Sequence, residues 1–235
     1  MSKAKFFNGN VKVGKMLTFN KLAGNTKWNG CTGTCGEHCG GCYNPENPKE
    51  SDCYVIKSYI QYKDAVIGPH VDNTIAMREH MSEAFDDLDR KLSRKRVIVP
   101  VRIHSSGEFE TTGEIEGWIN LARKHPDTPF YVYTKAYDLV DKVLTKDSKL
   151  PKNFFINYSI WHEHGIKEYN KWKKLDNVRA FVYDDGKYNY KQAGLNINCR
   201  CPAYNEKGKL DHNYTCDKCK ICYQKKAKVC SCSSH

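Results

Sequence analysis

Four short β-branched or aromatic runs, separated by helix-length segments, constrain this chain most. Residues 97–104 (Val-Ile-Val-Pro-Val-Arg-Ile-His), 130–133, 154–159 and 178–183 each read as a buried strand. Between them, 112–125, 136–144 and 166–173 read as helices; in the first, Ile115, Trp118, Ile119 and Ala122 mark an inward face. Upstream, 17–20 reads as a short first strand, and 51–62 and 73–93 as helices. Asn73 is the N-cap of the second, and Ile75, Met81, Phe85, Leu88 and Leu92 lie near its helical period. Residues 195–197 suggest one more strand. Strand and helix in alternation imply parallel strands joined by crossovers. The count is about five or six βα repeats, short of a complete eight-fold barrel of about 250 residues. The expected fold is therefore α/β: a partial (β/α) barrel over residues 1–197, with a cysteine-rich C-terminal extension over 198–235.

Ligands of such sheets bind beyond the carboxyl ends of the strands. Ser105-Ser106-Gly107-Glu108 follows the 97–104 run. A backbone that bends sharply at Gly107 aims carbonyls and the Glu108 carboxylate at an ammonium group. The competing reading is an ordinary turn with Glu108 solvated. Lys135 follows the next strand, and Asn157 and Ser159 belong to the one after. Each is also a common loop residue. His104, His162, Glu163 and His164 lie near the same rim, and their spacing names no metal site.

Cysteine is concentrated at two places. The first is Cys31-Thr-Gly-Thr-Cys35-Gly-Glu-His-Cys39-Gly-Gly-Cys42-Tyr43. Thiolates are soft ligands suited to iron–sulfur clusters, zinc or copper(I), and the glycines let the backbone close around a bulky core. Cys35, Cys39 and Cys42 have the C-x3-C-x2-C spacing that holds three irons of a cubic cluster and leaves the fourth open. Cys31 competes with Cys35 for the first position. At the second place, Cys216, Cys219 and Cys222 form a C-x2-C-x2-C run with Cys201-Pro202 upstream. Ferredoxins take three ligands of a cubic cluster from such a run and a fourth from a distant Cys-Pro. A structural zinc site is the alternative, since Cys199, Cys201, Cys230 and Cys232 could complete one. The part played by Cys53 is open. Twelve cysteines in 235 residues is about 5%, below the roughly 8–10% of a disulfide scaffold.

The N-terminus has no apolar core of roughly 7–15 residues, so no signal peptide is expected. No stretch approaches about 18 apolar residues, so no membrane span is expected. The expected location is the cytoplasm, where clustered cysteines mean metal or redox chemistry. The formal net charge is +11. Basic clusters at 91–96, 171–174 and 218–228 suit an acidic partner such as a nucleic acid or nucleotide, or serve only as solvated helix faces.

The C-x3-C-x2-C loop, the Ser-Gly-Glu at a strand end and the alternating α/β pattern resemble the radical S-adenosylmethionine superfamily. More narrowly, Cys42-Tyr43, Arg102-Ile-His104-Ser105-Ser106-Gly107-Glu108, Tyr133-Thr134-Lys135 and Cys201-Pro-Ala with Cys216-x2-Cys219-x2-Cys222 are similar to the phage "gene product 88" family. The resemblance spans about Trp28 to about Tyr223. It implies an open [4Fe–4S] cluster on Cys35, Cys39 and Cys42, and a second on Cys201, Cys216, Cys219 and Cys222. It also implies S-adenosylmethionine bound by Ser106, Gly107, Glu108, Lys135, Asn157 and Ser159. The implied reaction is reductive cleavage to a 5′-deoxyadenosyl radical that abstracts hydrogen from an unidentified substrate, with a flavodoxin or ferredoxin as electron donor. The reading from a different class is a non-catalytic, zinc- or cluster-stabilised nucleic-acid-binding protein.

Overall fold

One sheet carries the chain, and most of its strands join it in sequence order. The structure is a computed structural model that describes residues 4–10, 12–25, 27–39, 53–145, 149–204, 211, 213–224 and 227–232. Strand β1 (Phe7–Asn8) pairs antiparallel with β2 (Leu17–Phe19). A separate hairpin, β3 (Lys27–Trp28) and β4 (Cys31–Thr32), leads to a 3-10 turn at Gly36–Cys39. Helices α1 (Tyr54–Tyr62), α2 (Asp64–Glu79) and α3 (Met81–Ser93) follow. The alternating part comprises β5 (Val101–Ile103), α4 (Thr112–Lys124), β6 (Phe130–Thr134), α5 (Tyr137–Val143), β7 (Phe154–Trp161), α6 (Ile166–Trp172) and β8 (Val178–Tyr183). The cysteine-rich end adds β9 (Cys199–Arg200), α7 (Cys216–Cys219) and β10 (Val229–Cys232).

The main sheet runs β1-β2-β5-β6-β7-β8-β10-β9, and every pair after the first is parallel. Among the described residues the fold is thus mixed α/β with an eight-stranded, mostly parallel sheet and seven helices. Strands β1 and β9 are its edges; among the described residues no pairing joins them. The C-terminal segment enters this same sheet, with β10 between β8 and β9. No described helix is long and apolar enough to cross a membrane.

Several elements differ from the sequence expectation. The 73–93 helix divides at His80, whose backbone at φ −141° and ψ 47° leaves the helical region. Asn73 is not an N-cap but is buried inside α2. Its side chain accepts from Lys5 N at 2.8 Å and donates to Lys5 O and Asn20 O, tying the N-terminal segment to the end of β2. The apolar 97–99 stretch stays outside the sheet, with Val97 68% exposed. Pro100 has no N–H for the ladder, and pairing begins one residue later. Residues 195–197 form no strand; the edge strand lies just beyond, at Cys199–Arg200.

Alternation along each strand separates two faces. Val101, Ile103, Phe130, Val132, Phe154, Ile156, Val178, Ala180 and Val182 face the helices in one apolar core. Helix α4 is fixed there by Trp118, whose ring meets Phe19 and Phe85 edge-on at 5.1 and 5.3 Å. Gly117 makes the Phe85 contact possible, since a Cβ there would lie 2.2 Å from that ring. Thr111 caps the helix by accepting from Glu114 N at 3.1 Å. The opposite face carries Arg102, Tyr131, Tyr133, Phe155, Asn157, Arg179 and Phe181. Strand register sets Ser159, Phe181, Cys230 and Cys199 in one row across it.

Candidate functional site

The segment around α7 covers this second face. Cys216 N and Asp217 N donate to Lys12 O and Val13 O, both at 3.1 Å. From the sheet, Asn157 Nδ2 donates to Cys222 O at 3.3 Å, and Arg179 donates to Ile221 O. Tyr223 stacks on Tyr131 with centroids 4.9 Å apart. Between this cover, the strand ends and the N-terminal cysteine loop lies a cavity of about 690 Å³. Its size falls in the roughly 300–1,000 Å³ range of small-molecule sites.

The cavity gathers most of the residues singled out from sequence. Ser106, Gly107, Glu108, Lys135 and Ser159 line it at the strand ends. Cys35 lines it from the N-terminal loop, and Cys201, Cys216, Cys219 and Cys222 from the opposite side. Asn157 is not part of the lining; its amide is spent on Val132 O and Cys222 O. Cys42 and the side chain of Cys39 lie outside the described residues. Cys31 is also outside the lining, and Arg78 Nη1 donates to its Sγ at 3.4 Å. Its pKa is raised by burial, against the opposing effect of Arg78.

Glu108 is the most tightly held of these groups. One carboxylate oxygen accepts from Thr134 Oγ1 at 2.7 Å and Phe109 N at 2.8 Å, and the other accepts from Lys135 N at 2.7 Å. A carboxylate offers about four lone-pair sites, so three donors leave room for one more. Ser106 is buried as well, with Oγ donating to Lys21 O at 2.8 Å. Between them Gly107 has φ +84°, and a Cβ would lie 2.8 Å from both Lys21 Cβ and Thr34 Oγ1. Gly107→Ala is therefore expected to cost about 1–3 kcal/mol and to shift Glu108. Chemical denaturation reads the first effect, and a structure of the variant reads the second.

The C-terminal thiols share one electrostatic environment. Burial pushes Cys222 up to about 12, opposed by a hydrogen bond from Tyr133 and reinforced by Cys216, Cys201 and Cys219. Burial likewise raises Cys216, against Arg102 and Lys12, and raises Cys201. As plain thiols these groups are poor nucleophiles at neutral pH; coordination by a metal deprotonates a thiol outright. Among the described residues, no three His, Cys, Asp or Glu side chains converge to hold a single metal ion. All four thiols line the cavity. None of the ten cysteines whose side chains are described is in a disulfide, and Cys199 and Cys230 stand with their sulfurs 3.4 Å apart.

Sequence reasoning gave no role to Tyr54 and Phe181 in the lining, and none to Arg102 and Tyr133 beyond their place in the family motifs. A signal was present for Arg102 and Tyr133. In Val-Arg-Ile and Phe-Tyr-Val-Tyr the period of two separates a helix-facing set from Arg102, Tyr131 and Tyr133. The same period in Val-Cys-Ser-Cys puts Cys230 and Cys232 on one face of β10.

No curated protein and no solved structure gives a significant match to the chain. A family model does, and it is not a radical S-adenosylmethionine model. It covers residues 3–225, which include every element from β1 to α7 and both walls of the cavity, so the chain belongs to the Gene product 88 family.

Proposed function

We propose that this protein is an iron–sulfur enzyme of the radical S-adenosylmethionine type, built on a partial (β/α) barrel. The observation that carries the reading is a single cavity at the carboxyl ends of parallel strands, lined by Cys35, by the Ser106–Gly107–Glu108 turn and, among the C-terminal thiols, by Cys201, Cys216, Cys219 and Cys222. The donor set fits the cofactors. Cys35, with Cys39 and Cys42 beside it in sequence, would hold a cubic cluster with one open iron. Cys201, Cys216, Cys219 and Cys222 would hold a second. Three cysteines at two-residue gaps with an upstream Cys-Pro suit a cubic cluster better than the separated pairs of a zinc site. When bound, the reduced open cluster would supply the electron for reductive cleavage of S-adenosylmethionine, and with it the means of abstracting a hydrogen atom from the substrate.

The chain's own residues then have defined tasks. Glu108, fixed by three donors, accepts from the cosubstrate ammonium through its remaining site. Gly107 lets the backbone pass close enough to add a carbonyl. Lys135, with Nζ 5.4 Å from the centroid of Trp161, supplies a cation for the carboxylate or ribose. Ser159 lines the same rim. Tyr133 and Phe181 line the cavity from the sheet, and Tyr54 lines it from α1. The enzyme works in the cytoplasm with a flavodoxin or ferredoxin as donor.

Anaerobic purification followed by iron, sulfide and zinc assays tests the reading. About eight irons per chain are expected for two cubic clusters. Reduced protein given S-adenosylmethionine should form 5′-deoxyadenosine. Iron-loaded protein that forms none overturns the enzyme reading, and zinc without iron favours a structural metal site. Glu108→Gln should keep its iron and bind S-adenosylmethionine about ten-fold more weakly, because a charge-assisted hydrogen bond is lost. Unchanged affinity in calorimetry would remove Glu108 from the site.

A further inference from the structure

The charge of the cavity is lopsided. Among its described lining residues, Lys12, Arg102, Lys135 and Lys220 are cationic, and Glu108 is the single acidic side chain. Glu108 is already engaged by three donors. Three of the cations lie against aromatic rings instead of carboxylates: Lys12 at 4.3 Å from the Tyr204 centroid, Arg102 at 4.9 Å from Tyr133, and Lys135 at 5.4 Å from Trp161.

Arg102 is the one built into the sheet. It sits at the centre of β5, on the face turned away from the helices, between Val101 and Ile103, which point into the core. Among the described residues no hydrogen bond or ion pair reaches its guanidinium, and Nε is buried without a partner. The groups that act on it most are Tyr54, Tyr131, Tyr133 and Cys216. Phenols are neutral at pH 7, so none of these tyrosines balances the charge. Guanidinium does not lose its proton in proteins. A half-buried, permanent cation whose neighbours are rings and the Cys216 sulfur, and whose N–H donors meet no acceptor among the described residues, is costly unless a bound group accepts from them. The planar fork of Arg102 is shaped to take a carboxylate or a phosphate through paired N–H donors.

We infer that Arg102 binds the anionic group of the substrate, and that the substrate is a small carboxylate- or phosphate-bearing molecule held inside the cavity between Tyr54 and Tyr133, not a polymer read on the basic surface. The inference rests on the cavity being the active site. It assigns the cosubstrate to the strand ends, at Glu108 and Lys135, and the substrate to the deeper sheet face.

Calorimetry on the anaerobically purified, iron-loaded protein tests it with adenosine 5′-monophosphate and benzoate as probes and adenosine and benzamide as their uncharged counterparts. At least one anion should bind saturably, and its neutral counterpart at least about ten-fold more weakly; which anion binds tells phosphate from carboxylate. Arg102→Gln should weaken that binding by at least about ten-fold, Arg102→Lys by less, and Arg96→Gln, on the exposed segment before β5, not at all. Iron content and affinity for S-adenosylmethionine should be unchanged in Arg102→Gln. If neither anion binds at low salt, or if Arg102→Gln binds as tightly as the parent, the inference fails. It also fails if Arg102→Gln loses iron or cosubstrate affinity, because Arg102 would then serve the thiolates or the cosubstrate. Failure of the enzyme reading itself is seen separately, as iron-loaded parent protein that forms no 5′-deoxyadenosine.

Discussion

Cys35→Ala is expected to strip iron from the N-terminal site and abolish 5′-deoxyadenosine formation, while Cys31→Ala leaves both in place. The two residues are four apart in a glycine-rich loop, and spacing alone does not separate them. Their surroundings do. Cys35 lines the cavity, and Gly24 N donates to its Sγ at 3.3 Å. Backbone donors of this kind stabilise a thiolate, and hydrogen bonds to cluster sulfurs tune the potential. Cys31 lies on β4 and is turned to Arg78, which also donates to Glu110 through Nη2 at 2.6 Å. Moving Cys31 into the cavity would break that arrangement. Iron assay, paramagnetic resonance of the reduced protein and chromatography of the cleavage product read the outcome. The reverse result, with iron and product lost only in Cys31→Ala, would transfer the ligand role to Cys31.

Glu114→Gln should destabilise the fold by about 3–5 kcal/mol, or roughly 6–20 °C in melting temperature for a chain of this size. Lys21 lies two residues after the end of β2 with its side chain 0% exposed, and its ammonium meets Glu114 Oε2 at 2.7 Å and Glu110 Oε2 at 3.2 Å. His104 Nε2 stands 3.0 Å from Glu114 Oε1. The pair lies under the Gly107 turn, so it also supports the site. Removing one carboxylate leaves a buried ammonium with half its compensation. Lys21→Met with Glu114→Leu should recover much of the loss, because two apolar residues avoid the desolvation cost of the ions.

The pH dependence has a definite direction. Burial alone would raise the Glu114 carboxyl, but Lys21 and His104 outweigh it and hold it down at about 2. The ordinary value is near about 4.3, so the folded protein binds the proton less readily than the unfolded chain. The stabilisation is complete above about pH 4.3 and is lost as pH falls from there towards 2. Urea denaturation of parent and Glu114→Gln should show a stability gap that narrows over that window. A constant gap would mean that Glu114 acts through packing and not through its charge.

The α/β alternation was legible because its signal is local. Residues 130–133, 154–159 and 178–183 become β6, β7 and β8 with small changes at their ends, since each run is long, β-branched or aromatic, and flanked by breaks. Ile115, Trp118, Ile119 and Ala122 form the buried face of α4 because a period of 3.6 residues is written within a single helix. The cysteine spacings and the Ser-Gly-Glu turn were equally local, and of the residues they singled out, Cys35, Cys201, Cys216, Cys219, Cys222, Ser106, Gly107 and Glu108 line one cavity.

What the sequence could not rank were contacts made at a distance. The break at His80 carries no proline or glycine, and Asn73 looks like a cap until the N-terminal segment is laid across it. Strands β9 and β10 are two and four residues long and half polar; β10 is a strand because β8 offers it an edge, and β9 because β10 does. Lys21 and Glu114 are 93 positions apart and meet only when β2 lies beside β5 and α4 packs behind them. The choice of Cys35 over Cys31 at the cavity, and the exposure of Arg102 to it, follow from strand register and from the cover that α7 lays on the inner face. Composition and period determined which segments are strands and helices and where reactive side chains are concentrated. Only the packing of those segments decided which side chains share a cavity, because each contact depends on two parts of the chain whose local patterns carry no information about each other.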